Sequence, residues 1–188
     1  AKEVLNEIND LVKNKLIISF IAGMSLEKLN TFLLNDNVIR AMPTLGISNG
    51  ASPIAFCSSK EIENSTGQEI LNKLGQCIKI EESKFDAFTS IFGAGPAYIS
   101  YLGNLLSEIA LSNGFENPEP LIRDLLKGTY EIHNLANKPS FNEIKSMVAS
   151  KGGVTEAALK KIESSGMEEI WKSAIEDAIN QSKKLGDN

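Results

Sequence analysis

The residues best suited to holding an anion gather in the stretch Phe141 to Glu163, FNEIKSMVASKGGVTEAALKKIE. Its apolar spacing predicts two amphipathic helices joined by Ala149-Ser150-Lys151-Gly152-Gly153. Paired glycines take up backbone conformations that other residues resist, and they let a ligand come close to the main chain. A helix starting near Val154 and Thr155 presents unpaired N–H groups at the positive end of its dipole, which suits a carboxylate or a phosphate. Ser150 and Thr155 add a hydroxyl on either side of the glycines. On spacing alone a plain helix–loop–helix turn is the simpler reading, with Gly as the C-cap and Thr155 capping the next helix. A cap needs one glycine and one hydroxyl, however; this loop has two of each, and Lys151 besides.

Other motifs are weaker. Gly93-Ala94-Gly95-Pro96-Ala97-Tyr98 invites a dinucleotide reading, but the third glycine, the incoming strand and the acidic ribose partner are all lacking. It reads instead as the tight start of a packed helix, with Pro96 as first residue and Gly95 admitting a close neighbour. Arg40-Ala41-Met42-Pro43-Thr44-Leu45-Gly46 is a strand end and turn, and Ile21-Ala22-Gly23 holds the equivalent place after the strand before it. Ligands of α/β sheets sit at such carboxyl ends, although each motif alone is an ordinary strand exit. His133, between Ile132 and Leu135, has no second His or Cys near it and reads as a surface or lightly packed side chain. Cys57 and Cys77 do not form a CxxC pair, and no cluster has metal-ligand spacing. Two buried or half-buried free thiols in a reducing cytosol are expected.

The elements that position these residues fall into two halves. In the first, helix and strand signals alternate. An opening helix carries Val4, Leu5, Ile8, Leu11 and Val12 on one face, and Leu16–Ile21 reads as a buried strand. Ser25 caps a helix reaching about Leu34, with Glu27 in its first turn. Strands follow at Val38–Met42, stopped by Pro43, and at Ile54–Cys57; then come a helix Glu61–Leu74 closed by Gly75 and a short strand Cys77–Ile80. Strands apolar on both faces and alternating with helices predict an α/β layer with a largely parallel sheet. From about Ser83 the pattern is helical to the end, with one long helix over Pro96–Asn113 stopped by Gly114. Several of these helices are apolar over more than one face, which asks for a second partner, and a symmetric dimer would supply it. The chain opens on Ala1 inside a helical pattern, so an upstream portion is expected.

Composition narrows the function classes. A chain of 188 residues with 42% hydrophobic and 23% charged content has material for a core. A net charge of −5, without Lys/Arg runs interleaved with aromatics, gives no support for a nucleic-acid surface. The longest apolar run, Leu16–Ala22, is too short to span a bilayer and lacks signal-peptide flanks. A cytoplasmic protein with neither membrane nor nucleic-acid partner is expected.

In this order and at these separations the motifs resemble those of the pyrroline-5-carboxylate reductase family. Ile21-Ala22-Gly23-Met24-Ser25 matches the family's strand ending in alanine-glycine, and Arg40–Pro43 its Arg-x-Met-Pro turn. Gly93–Tyr98 matches its small-Gly-Pro-Ala-Tyr helix start, and Ser150–Thr155 its Ser-x-Gly-Gly-x-Thr loop. The resemblance implies reduction of 1-pyrroline-5-carboxylate to L-proline with NADPH or NADH. It implies a fold in which residues 1–82 are the C-terminal part of a Rossmann-like dinucleotide-binding domain lacking its first βαβ unit. Residues 83–188 would form a helical dimerisation and substrate-binding domain, giving a homodimer or a higher assembly such as a decamer. It places Val148, Ser150, Gly152, Gly153, Val154 and Thr155 around the substrate, with Thr155 foremost as positioner or polariser of the imine. Ala22, Gly23, Met42, Pro43 and Thr44 would lie at the cofactor. Thr44-Leu45-Gly46 stands where most members have Asn-Thr-Pro, which keeps open a related reductase acting on another imine or a hydroxy acid. A non-catalytic dimerisation module is the alternative from a different class.

Overall fold

β-Branched and apolar runs pair into a four-stranded sheet among the described residues, 2–59 and 66–187 of a computed structural model. The strands are β1 (Ile17–Ser19), β2 (Val38–Met42), β3 (Ser52–Ser58) and β4 (Gly75–Lys79), and their spatial order is their sequence order. β1 and β2 are parallel, with Ser19 opposite Arg40, and β3 and β4 are parallel, with Ile54 opposite Cys77. β2 and β3 are antiparallel, Arg40 facing Cys57. The expected largely parallel sheet is thus corrected to a mixed one. Residues 43–51 contain only a 3-10 turn, Leu45–Asn49, ended by Gly50 at φ 65°. That link is too short for a parallel crossover, which takes a dozen or more residues, so the chain reverses.

Helices pack on both sheet faces. α1 (Lys2–Ile8) is shorter than its pattern suggests: Leu5 is buried, whereas Leu11 lies beyond its end and is exposed. α2 (Leu26–Leu33) is capped by Ser25, whose hydroxyl accepts from the Lys28 amide at 3.2 Å. Its stripe of Leu26, Leu29 and Leu33 is buried with Val38, Ala55, Cys57, Phe85 and Phe88. The alternate strand residues Ile39, Ala41, Ile54 and Phe56 form a second cluster with Leu71 of α3 (Thr66–Leu74). Residues 61–65 of the helix expected there lie outside the described residues.

Beyond β4 a short helix α4 (Phe85–Phe88) runs into a π-helical stretch, Thr89–Gly93, and then α5 (Gly95–Ser112). Here the reading of Gly95 as the point of close approach is corrected. A Cβ on Gly95 would meet nothing within 4 Å, whereas one on Gly93 would lie 3.3 Å from Met42 Cε. α6 (Glu119–His133), α7 (Phe141–Val148), α8 (Val154–Ser164) and α9 (Met167–Asp187) complete the chain.

Two compact units result, Ala1–Pro96 with Ala174–Asn188, and Ala97–Ser173. In the second, α5 buries only small residues, Gly103 and Ser107, the former open to Ile122 and Leu126 of α6. Its larger side chains Ile99, Leu102, Leu105 and Ile109 stay 37–53% exposed.

Candidate functional site

α7 delivers the chain to the glycine turn. Ser140 and Glu143 form a reciprocal capping box at its start, the Ser140 amide donating to Glu143 Oε2 at 2.7 Å and the Glu143 amide to Ser140 Oγ at 3.3 Å. The Ser140 amide, then its hydroxyl, hold the Glu143 carboxyl below the usual carboxylate range. The helix ends at Val148; the Ser150 amide reaches back to Val148 O at 3.2 Å, and the Gly153 amide donates to Ser150 O at 2.9 Å. Gly152 takes φ 75°, the left-handed conformation that costs a side chain energy. Gly153 is conformationally ordinary, but a Cβ there would sit 2.6 Å from Ser150 Oγ and 3.0 Å from Ser150 O. The two glycines are therefore needed for different reasons.

α8 starts at Val154 with Gly153 as N-cap and no side chain capping it. Ala157 donates to Gly153 O at 3.1 Å, which leaves the amides of Val154, Thr155 and Glu156 as the outward donors of the first turn. Val154 is 89% exposed, Val148 and Ser150 are exposed, and Thr155 is half-buried. The sequence-expected substrate residues Val148, Ser150, Gly152, Gly153, Val154 and Thr155 thus come together on one open turn. What the sequence reading missed is Glu156. Its carboxylate accepts from the Gly152 amide at 2.6 Å and pairs with Lys160 at 3.1 Å. The Gly152 amide, then Lys160, hold it below the usual carboxylate range. An anion of the chain itself thus rests on one of the turn's donors. The available signal was its third place in the helix, where acids reach back to preceding amides.

The second candidate region is the carboxyl edge shared by parallel β1 and β2. Ala22 is exposed and Gly23 has φ 71°; a Cβ on Gly23 would meet the Gly186 nitrogen at 3.2 Å, so the end of α9 lies against this turn. Lys28 donates to Gly186 O there. Met42 and Pro43 are half-buried at the end of β2. Thr44 is buried and its polar groups are engaged: its amide donates to Ser52 Oγ at 2.8 Å, and its hydroxyl accepts from the Gly46 amide at 3.2 Å. Its visible work is to hold the 43–51 reversal.

Beside these exits lies a polar cleft of about 400 Å³, lined among others by Gly23, Lys28, Arg40, Glu82 and Asp86. Arg40, a buried residue of β2, donates to Glu82 Oε1 at 2.9 Å and lies 4.4 Å from the Phe85 ring centroid. Burial, followed by the charge of Glu82 and opposed by Arg40, pushes the nearby Cys57 thiol up to about 12. Burial raises Cys77 as well. His133 ends α6, its Nδ1 3.2 Å from Pro139 O and its ring tilted on Phe141. Among the described residues no helix is long and apolar enough to cross a membrane.

Comparison with known proteins places this geometry. The family model described as pyrroline-5-carboxylate reductase dimerisation matches residues 82–185. The pyrroline-5-carboxylate reductase of Aquifex aeolicus is 30% identical over 192 residues, covering 98% of this chain and 71% of that protein. The Synechocystis enzyme of the same name is 29% identical, over 91% of this chain and 66% of its own length. Among solved structures, the Plasmodium falciparum pyrroline carboxylate reductase with NADP bound superposes with a TM-score of 0.87 at 27% identity, covering 98% of this chain and 75% of that one. The Coxiella burnetii pyrroline-5-carboxylate reductase gives 0.84 at 26% identity, over 98% and 71%. The chain therefore spans about two thirds to three quarters of the length of these proteins. A family match over more than half of the chain and a 30% identical relative agree with the turn, the strand exits and the helical second half: the chain belongs to the pyrroline-5-carboxylate reductase family.

Proposed function

We propose that this protein reduces 1-pyrroline-5-carboxylate to L-proline with NADPH or NADH, and that the Ser150–Thr155 turn captures the substrate carboxylate. The observation that carries the reading is the set of outward amides at the start of α8, behind a glycine held at φ 75°. An anion there meets the positive end of the helix and main-chain donors that need no reorganisation. Glu156, already seated on the Gly152 amide, is a precedent within the chain for a carboxylate on this turn.

In this reading Val148, Ser150, Gly152, Gly153, Val154 and Thr155 surround the substrate. Thr155, second in the helix, directs its hydroxyl to the imine nitrogen and steadies the charge held there. A bound reduced nicotinamide would supply the hydride for the imine carbon, with a proton on nitrogen completing the amine. Hydride transfer needs little covalent help, so positioning supplies much of the rate. The residues of the β1 and β2 exits fit the nicotinamide end of such a cofactor: Ala22 is exposed, Gly23 carries no side chain, and parallel strands bring both exits to one edge. Ala22, Gly23, Met42, Pro43 and Thr44 are the residues assigned to it, Thr44 through its hold on the loop.

Residues 1–82 form the cofactor side in this account, and residues 83–188 the dimerisation and substrate side. The exposed apolar face of α5 supports a homodimer, and two free thiols suit a cytoplasmic location. The test is oxidation of NADPH or NADH by the full-length protein on addition of 1-pyrroline-5-carboxylate, with proline as product. Tight cofactor binding without turnover of that imine would remove the substrate assignment.

A further inference from the structure

A guanidinium in a sheet interior must find both a counter-charge and hydrogen-bond acceptors, because an unpaired buried charge is strongly disfavoured. Arg40 sits on β2, 7% exposed, on the same sheet face as Val38 and Met42. Its partner Glu82 comes from the 3-10 turn after β4, at 2.9 Å. The same carboxylate oxygen, Oε1, also accepts from the Leu26 amide at 2.7 Å. Leu26 is the first residue of α2 and follows the Gly23 turn by three positions; Arg40 precedes Met42 by two. One oxygen therefore takes a donor from the segment that follows β1 and another from the middle of β2, two residues before that strand ends. Phe85, buried, carries its ring centroid 4.4 Å from the guanidinium carbon. The cost of the pair falls mainly on the buried guanidinium, since the Glu82 side chain is 35% exposed at the cleft. What a hydrogen-bonded pair adds is a set distance between the two exits.

We infer that Arg40 and Glu82 are positioning residues for the cofactor: their pair holds the Gly23 turn and the Met42–Pro43 exit at the separation that seats the nicotinamide. The inference rests on the reading of those exits as the nicotinamide site. Neither residue needs to touch the cofactor, and each acts through the main chain it holds.

The test uses steady-state kinetics and thermal melts of the full-length protein. Glu82→Gln keeps the shape and an acceptor for Leu26 but removes the charge facing Arg40; Arg40→Lys keeps the charge but loses the flat fork over Phe85. Each should raise KM for the reduced nicotinamide about tenfold, the loss of one charge-assisted hydrogen bond, and leave KM for the imine within about twofold. The deciding variant is the uncharged pair Arg40→Met with Glu82→Gln, which removes both charges and keeps an acceptor for the Leu26 amide. It should recover the parent's melting temperature and still show the raised cofactor KM. Glu81→Gln, next in sequence but paired only at the surface with Lys84, should change neither constant. If the uncharged pair recovers both melting temperature and cofactor KM, or if the single variants change stability alone, the pair is structural and the inference falls. If the unaltered protein binds no reduced nicotinamide, the reading of the exits falls, and the inference with it.

Discussion

Exchanging Gly152 and Gly153 one at a time separates conformational from steric demand at the proposed substrate turn. Gly152 has φ 75° and open space where a Cβ would stand, so alanine there meets only the left-handed backbone penalty. That penalty is roughly 1–2 kcal/mol, which corresponds to about 5–30-fold in an equilibrium constant. The turn is exposed, so an alanine chain can relax to another conformation in the free protein, and substrate binding must restore the native one. The cost should therefore appear as a 5–30-fold rise, roughly, in KM for the imine, with little change in melting temperature. Asparagine tolerates left-handed backbone and should cost less than alanine, while β-branched valine should cost most. At Gly153 the backbone is ordinary, and the obstacle is Ser150, whose Oγ and O lie 2.6 and 3.0 Å from the added carbon. The hydroxyl can rotate away; the carbonyl cannot without loosening the 2.9 Å bond from the Gly153 amide. Gly153→Ala should thus raise KM as well, and Ser150→Ala in the same chain should not restore it. Initial rates at varied imine and saturating NADPH, with melts of each variant, provide the assay. Three Gly152 variants with the parent's KM, or asparagine as damaging as valine, would refute the reasoning.

Three further outcomes follow from other parts of the structure. Thr155→Ala and Ser150→Ala should each weaken substrate capture by about 1.5–3 kcal/mol, the range for a hydrogen bond to a charged group; unchanged kinetics in both would take the hydroxyls out of the site. A raised thiol pKa means less thiolate at any given pH, so Cys57, pushed up to about 12 and buried, should resist alkylation in the native protein at mildly alkaline pH. Half-exposed Cys77 should be labelled before it, and peptide mass spectrometry showing the reverse order would contradict the packing around Cys57. Glutamate at both Leu102 and Ile109, 43% and 50% exposed on α5, should dissociate the proposed homodimer in light-scattering measurements; an unaltered assembly would move the interface elsewhere.

What was legible in the sequence was mostly local. Ser25 and the stripe Leu26, Leu29 and Leu33 define α2 through spacing and one cap, and the Val38–Met42 strand ends where Pro43 stops it. The Ala149–Gly153 turn between two helices was legible because its residues are consecutive. Strand direction was not, because alternating apolar residues look alike in parallel and antiparallel ladders; the short 43–51 link decides it. Gly93 and Gly95 are equivalent in sequence, and only the placement of Met42 shows which one makes room. The Arg40–Glu82–Leu26 junction joins residues from three separate elements, so no periodicity announces it. Glu156 reads as an ordinary first-turn acid until its carboxylate is seen on the Gly152 amide.

The amides at the start of α8 are the proposed receivers of the substrate carboxylate. Titrating isotope-labelled full-length protein with L-proline in the presence of oxidised cofactor, and following backbone amide resonances, tests this most directly. The largest shifts should fall on Val154, Thr155 and Glu156 and saturate together. Saturable proline binding that leaves those three resonances in place and moves others instead would contradict it.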